Sequence, residues 1–366
     1  MTEAKSNRIE AIDILRGMTI AGMILVNNPG AQPVYTPLEH AEWIGLTPTD
    51  LVFPFFMFIM GITTYLSLRK FNFEWSWLCV RKILKRAVLL YLVGIAISWL
   101  MRFCWGMASP EDPSLAFFPR LWAAANTFDT IRLVGVFPRL ALCYGLAALI
   151  AITLRHRYIP WLIAALFIGY FLLLKYGNGW AHDATNILAV FDKAVIGDNH
   201  LYKWDTPDPE GLLSTLPSLA HVLIGFCVGG ILTRLNNINE KIERLFIIGA
   251  LLTFAGFLLS YGCPISKKLW TPTFALVTCG LASTLLALLS WVIDKRHYQG
   301  RITHFFRVFG VNPLALYVLA DILLIPFTII PLFGKSLQDS LVTDVMEPLL
   351  GTQAASLAWA LLFVLS

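Results

Sequence analysis

Leu51-Val-Phe-Pro-Phe-Phe-Met-Phe-Ile-Met-Gly61 carries no charge, and no Asp, Glu, Lys or Arg occurs between Asp50 and Arg69. As a helix of about 20 residues such a run spans the ~30 Å hydrocarbon core of a bilayer. Thr47, Pro48 and Asp50 mark its start: a capping hydroxyl, a proline for the first turn and an acid near the positive end of the helix dipole. The rest of the chain reads the same way. Of 366 residues 57% are hydrophobic and 14% charged, with a mean hydropathy of +0.68, whereas a soluble domain carries about 25% charged residues to wet its surface. A soluble globule, a disordered chain, collagen, a coiled coil and a disulfide-stapled mini-domain are excluded.

Apolar windows between charged or Pro/Gly-rich breaks fall near 12–28, 48–68, 87–103, 133–154, 158–176, 213–233, 245–261, 272–293, 308–330 and 353 onward. The expectation is an all-α, polytopic membrane bundle of about ten transmembrane helices forming a single domain over 1–366, its last span cut short at Ser366. No cleavable signal precedes the first window. Basic loops stay on the cytoplasmic side. With the N-terminus cytoplasmic, the inner segments hold seventeen Lys and Arg, from Lys5 and Arg8 to Arg307, against nine in the outer segments. The one loop that breaks the bias carries Lys267 and Lys268. The long connections, roughly 104–132, 177–212 and 331–352, face outward, where recognition is usually built.

The net charge of +5 is thus a membrane signature and calls for no nucleic-acid partner. The six cysteines contain no CxxC pair, so they read as small hydrophobes and no metal site is expected. Gly225 and Gly229 form a GxxxG that brings two helices close, most commonly within one bundle.

Ionisable groups at membrane depth cost at least a few kcal/mol unless paired or wetted. Asp13 and Arg16, three apart at the start of the first window, read as an ion pair or as a cofactor-facing site. Arg139, inside a span after Pro138, reads as a buried site residue, His221 as a hydrogen-bonded core histidine, and Asp321 as a weaker case. Asn27 and Asn28 end the first window and His40 stands before Thr47. Histidine takes a proton from an amine near neutral pH, and an amide donates to a developing oxyanion. Asp198, Asp208 and Glu210 form an outer acidic cluster that suits a polar acceptor or calcium, while Asp208 with Pro209 also suits a helix cap. The six cations from Arg69 to Arg86 suit coenzyme phosphates or anionic lipid. Pro54, Pro138 and Pro326 within spans leave a secondary transporter of a sugar or organic anion as the alternative.

These residues carry a resemblance. Asp13, Arg16-Gly17, Val26-Asn27, His40-Ala-x-Trp43-x-Gly-Leu-Thr47, Asp50-Leu-Val-Phe-Pro54 and Phe58-Ile-Met-Gly61 are similar to the catalytic domain of heparan-alpha-glucosaminide N-acetyltransferases. The likeness continues through Val136 with Arg139-Leu140, Gly197-Asp198 with His200-Leu-Tyr202, Asp208-Pro-Glu-Gly211 with Thr215, and Asn312 with Tyr317. It implies transfer of an acetyl group from cytosolic acetyl-CoA to a glucosamine-type amine at the opposite face, with His40 and Asn27 catalytic. A two-step route through acetylated His40 is the alternative. Arg16, Lys82, Arg86 and Arg139 are the expected coenzyme contacts, and Asp50, Asp198, His200, Asp208, Glu210 and Asn312 the expected acceptor contacts. The resemblance further implies a homodimer and, since the large luminal N-terminal domain of the animal enzyme is missing, the inner membrane of a bacterium.

Overall fold

A computed structural model describes residues 9–108, 114, 116–332 and 334–366; Lys5 and Arg8, counted above for orientation, lie outside them. The helices in order are α1 (Glu10–Asn27), α2 (Val52–Arg69), α3 (Trp77–Ala108), α4 (Phe117–Ala125), α5 (Val136–Thr153), α6 (Ile159–Tyr176), α7 (Ile187–Ile196), α8 (Thr215–Arg234), α9 (Ile238–Leu259), α10 (Pro272–Leu289), α11 (Arg301–Val311), α12 (Pro313–Leu324), α13 (Leu337–Leu341), α14 (Glu347–Leu350) and α15 (Thr352–Leu365). A two-residue hairpin at 331–332 and 335–336 is the only sheet among the described residues.

Among these residues seven helical segments are long and apolar enough to cross a membrane, and α11 with α12, bent by 88°, makes an eighth if the pair is one span. The protein is a multi-pass membrane protein. Two of the ten expected windows fall short of that standard. α1 has Glu10, Asp13 and Arg16 within its 18 residues, and α15 has 14 residues, about 21 Å at 1.5 Å per residue.

α8 sits at the centre, with 83% of its apolar window buried, against 11% for α3 and 22% for both α6 and α9 at the periphery. Apolar on every side, α8 has no polar face to turn outward. Its Gly225 packs on α2 so closely that a Cβ would lie 2.2 Å from the Phe58 carbonyl oxygen, and a Cβ on Gly61 would lie 2.1 Å from that of Val222. The GxxxG contact therefore lies within the protomer. His221 is fully buried, and its Nε2–H donates to the Pro54 carbonyl at 2.9 Å, a core histidine as expected. All six cysteines are free.

Local signals place the elements that carry the site. Thr47 caps a short 3-10 turn (Pro48–Leu51) leading into α2, and Asp50 accepts from the Thr47 amide, a reciprocal cap. Thr271 caps α10 by accepting from the Phe274 amide, with Pro272 at its first position. Asn312-Pro313 ends α11 and starts α12: the proline ring cannot sit in a continuing helix, and the axis turns.

Candidate active site

Residues 16, 20 and 23 of α1 lie on one helical face, as do 82, 85, 86, 89, 90 and 93 of α3. These faces, with parts of α2, α5 and the α11–α12 break, enclose a cavity of about 540 Å³, within the range of small-molecule sites. One end is cationic, lined by Arg16, Lys82, Lys85 and Arg86. Arg86 lies over the Tyr144 ring at 4.5 Å and Lys82 over Phe71 at 4.6 Å. Arg16 binds Asp13 at 3.0 Å and the Gly310 carbonyl at 3.0 Å, so it is both ion-paired and on the cavity wall. The other end closes on Tyr317, packed edge-on against Phe137 with ring centroids 5.0 Å apart. Asn27 Nδ2 donates to the Tyr317 hydroxyl at 3.2 Å. From Arg16 to Asn27 α1 rises about 16 Å, which sets the distance between the two ends. Asn28 turns back to donate to the Ile24 carbonyl at 2.7 Å.

His40 belongs to a second group. Its Nδ1–H donates to Asp50 Oδ1 at 2.7 Å. Asp50 is fully buried, and its Oδ2 accepts from the amides of Ala41 and Thr47, each at 3.1 Å, and from the Thr47 hydroxyl at 3.0 Å. The carboxylate expected at the acceptor is thus turned onto His40 and its own loop, leaving Nε2 as the histidine's free base. Lys267 Nζ lies 3.0 Å from His40 Nδ1, 3.3 Å from Nε2 and 3.5 Å from Asp50 Oδ1. Burial pushes the Lys267 ammonium down, while Asp50 and Glu210 oppose it. His40 also lines a cavity of about 200 Å³ between α15, the loop after α1 and the far side of α1 at Leu25 and Val26.

The expected pairing of Asn27 with His40 is therefore indirect: no hydrogen bond joins them, Asn27 binding Tyr317 of the large cavity and His40 lining the smaller one. Glu210 stands between the two groups, within electrostatic reach of both Lys267 and Tyr317. Burial alone would raise its carboxyl; Arg132, bound at 2.8 Å, with Arg139 and Lys267, outweighs burial and holds it below the usual range.

The remaining expected contacts disperse. Arg139, 1% exposed, points away from the large cavity into the core, where it donates to the Gly211 carbonyl at 3.0 Å and to the Ser214 hydroxyl and lies 5.3 Å from the Trp270 ring. Asp208 does not cap α8. It pairs with Arg132 and accepts from the Tyr202 and Glu210 amides at 2.7 and 2.9 Å, so the Asp208 and Glu210 carboxylates meet a guanidinium where calcium was the alternative. Asp198 is exposed between Lys193 and Lys203. His200 is a tie, its Nδ1–H donating to the Ile131 carbonyl at 2.7 Å. Asn312 lies at the α11–α12 break, two residues from the carbonyl that holds Arg16, with its neighbours Val311 and Pro313 lining the large cavity.

The loops around 40–47, 177–212 and 260–271 are joined through side chains to which sequence reasoning gave no role. Trp43 stacks on His182 at 4.2 Å, His182 binds Asp205 at 2.7 Å, and Asp205 binds Lys268 at 2.7 Å. Lys267 and Lys268, exceptions to the charge bias, each have a carboxylate partner. Their anomalous loop was the signal for them; Tyr317 stood in the resemblance without a role, and Arg132 carried no signal that separated it from other loop cations.

Comparison with known proteins gives a concordant answer. A family model described as "Heparan-alpha-glucosaminide N-acetyltransferase, catalytic" matches residues 8–261. Among similar proteins are the heparan-alpha-glucosaminide N-acetyltransferases of Mus musculus, 25% identical over 383 aligned residues covering 87% of this chain and 54% of that protein, and of Homo sapiens, 25% identical over 374 residues covering 85% and 52%. The chain spans about half the length of these curated relatives. Carrying Asn27, His40, Asp50 and the Asp208–Glu210 pair within the matched region, the chain belongs to the heparan-alpha-glucosaminide N-acetyltransferase family.

Proposed function

We propose that this protein is a transmembrane acetyltransferase that takes its acetyl group from acetyl-CoA on the cytoplasmic side and delivers it to the amine of a glucosamine-type sugar at the opposite face. The observation that carries the reading is the large cavity, cationic at one end and lined at the other by Tyr317, which Asn27 holds through a hydrogen bond. Phosphates suit Arg16, Lys82, Lys85 and Arg86, with Arg able to bind them bidentately, and an apolar channel suits a long flexible arm. In this reading His40, oriented by Asp50, removes the amine proton as the C–N bond forms and the thioester C–S bond breaks; the proton then passes to the departing thiolate. Asn27 donates to the carbonyl oxygen as it gains charge. The excess of basic residues at the cationic end supports a cytoplasmic orientation for it. The family supports a homodimer.

The test is an assay of protein in lipid vesicles with acetyl-CoA and a panel of amino and hydroxyl sugars, with products identified by mass. Acetylation of an amino sugar is expected, together with thermal stabilisation by micromolar coenzyme A. Stabilisation by free sugars alone, with no acetylated product, would establish the transporter alternative that the bent α11–α12 pair invites. Lys82→Ala and Arg86→Ala are each expected to raise the KM for acetyl-CoA about tenfold, the effect of one charged contact, and to leave kcat within about threefold.

A further inference from the structure

Lys267 lies outside the residues that match the family model, yet the loop between α9 and α10 is built to hold it. Thr271 Oγ1 accepts from the Ser266 amide at 3.1 Å, the Thr271 amide donates to the Ser266 carbonyl at 3.1 Å, and Thr273 Oγ1 donates to the Cys263 carbonyl at 2.8 Å. Trp270, 1% exposed, is fixed at φ 49°, a left-handed conformation that a large side chain adopts only where its surroundings impose it. The Gly45 amide donates to the Ile265 carbonyl at 2.8 Å, tying this loop to the one that carries His40.

The contact itself is unusual. The ammonium lies almost equally far from the two ring nitrogens of His40, at 3.0 and 3.3 Å. Nδ1 already donates to Asp50, and a point so nearly equidistant from both nitrogens lies over the ring, not in line with either lone pair. Lys267 therefore meets the imidazole as a charge. Among the described residues, the other charged groups near His40 include Asp50, bonded to it, Glu39 and Glu42 beside it in the chain, and Glu210 and Lys268, which act on Lys267. α15 turns only the uncharged Ser356, Leu357 and Ala360 toward the cavity it shares with His40.

Asp50 on its own would favour a protonated imidazolium, and a histidine in that form cannot accept a proton. We propose that Lys267 is a positioning residue of the acetyl-transfer site, a fixed cation whose charge offsets that of Asp50 at the His40 ring. This inference rests on the proposed acetyltransferase reading for its catalytic meaning and on the His40–Asp50–Lys267 geometry for its physical content. The two are tested separately.

Protein labelled with 15N-histidine, with His40→Gln to assign the resonance, is titrated in nanodiscs. Lys267→Met is expected to raise the His40 titration midpoint by about one pH unit, the size of a unit charge at contact distance in a water-like medium. Lys267→Arg is expected to hold the midpoint within a few tenths of a unit, and Lys267→Gln serves if the Met variant does not fold. In the assay, the rising limb of the kcat/KM profile moves to higher pH by the same amount, so the variant loses about tenfold at pH well below the limb and recovers at alkaline pH. An unmoved His40 midpoint in a folded variant overturns the proposal, whatever happens to the rate. A moved midpoint in a protein that acetylates no amine upholds the electrostatic role of Lys267 and overturns the acetyltransferase reading instead.

Discussion

His40→Ala is expected to lower acetyl transfer by roughly 10³-fold while leaving the KM for acetyl-CoA within about threefold. General-base catalysis by a positioned side chain contributes ~10²–10⁴, and His40 lines the smaller cavity, apart from the cationic chamber. The measurement is initial rate against acetyl-CoA concentration on purified, monodisperse protein; turnover within tenfold of the unmodified protein would remove His40 from the chemistry. Asp50 acts through His40, because its Oδ1 fixes Nδ1 as the protonated nitrogen while three donors fix the carboxylate through Oδ2. Asn at this position offers no two-oxygen acceptor, so Asp50→Asn is expected to follow His40→Ala in direction with a smaller loss, about 10².

The largest effect on stability is expected from Arg132→Met. Its guanidinium grips Asp208, fully buried at the side chain, and Glu210, and stacks 4.7 Å from the Tyr202 ring. Removing one partner of a buried pair leaves an uncompensated charge, which costs about 3–5 kcal/mol. Adding Asp208→Asn to Arg132→Met relieves the orphaned charge and is expected to restore part of that loss. Denaturant unfolding of the three proteins in one detergent reads it: no loss in the single variant, or additive losses in the double, would show that Asp208 does not depend on Arg132. The same change frees Glu210, which stands between the His40 and Tyr317 groups, so activity is expected to fall even where the protein stays folded.

Much of this architecture was legible before any coordinates. Long uncharged runs bounded by Arg and Lys marked the spans, and Thr47-Pro48 and Thr271-Pro272 marked two helix starts, because caps and apolar length are local properties. That Lys82 and Arg86 share a helical face was legible as well, since residues 82, 85 and 86 repeat with the helix, and they line the same cavity as Arg16. The fate of Arg139 was not: its position in a span says it is buried, while the partner that receives it, the Gly211–Ser214 turn, is more than 70 residues away. Asp50 reads as a helix cap from its neighbours and is one, and its second duty toward His40 depends on how the preceding loop folds back. Lys267 reaches His40 across 227 residues of sequence, a distance over which pattern carries no register.

The walls of the large cavity differ in how closely their helices are seated. α2 and α8 meet backbone against backbone at Gly61 and Gly225, and α1 and α11 do so at Gly17 and Gly310, where a Cβ would lie 1.7 and 1.8 Å from the facing carbonyl oxygens. Helices in such contact slide or part only by losing dense van der Waals packing all along the seam. At Asn312-Pro313 the chain turns through 88°, and proline supplies no amide for a hydrogen bond across the turn. Rotation of α12 about that joint leaves α11 seated on α1 and carries Leu314 and Tyr317 out of the wall. One wall of the large cavity is thus fixed by glycine seams between whole helices, and the wall that carries Tyr317 hangs from a single proline joint.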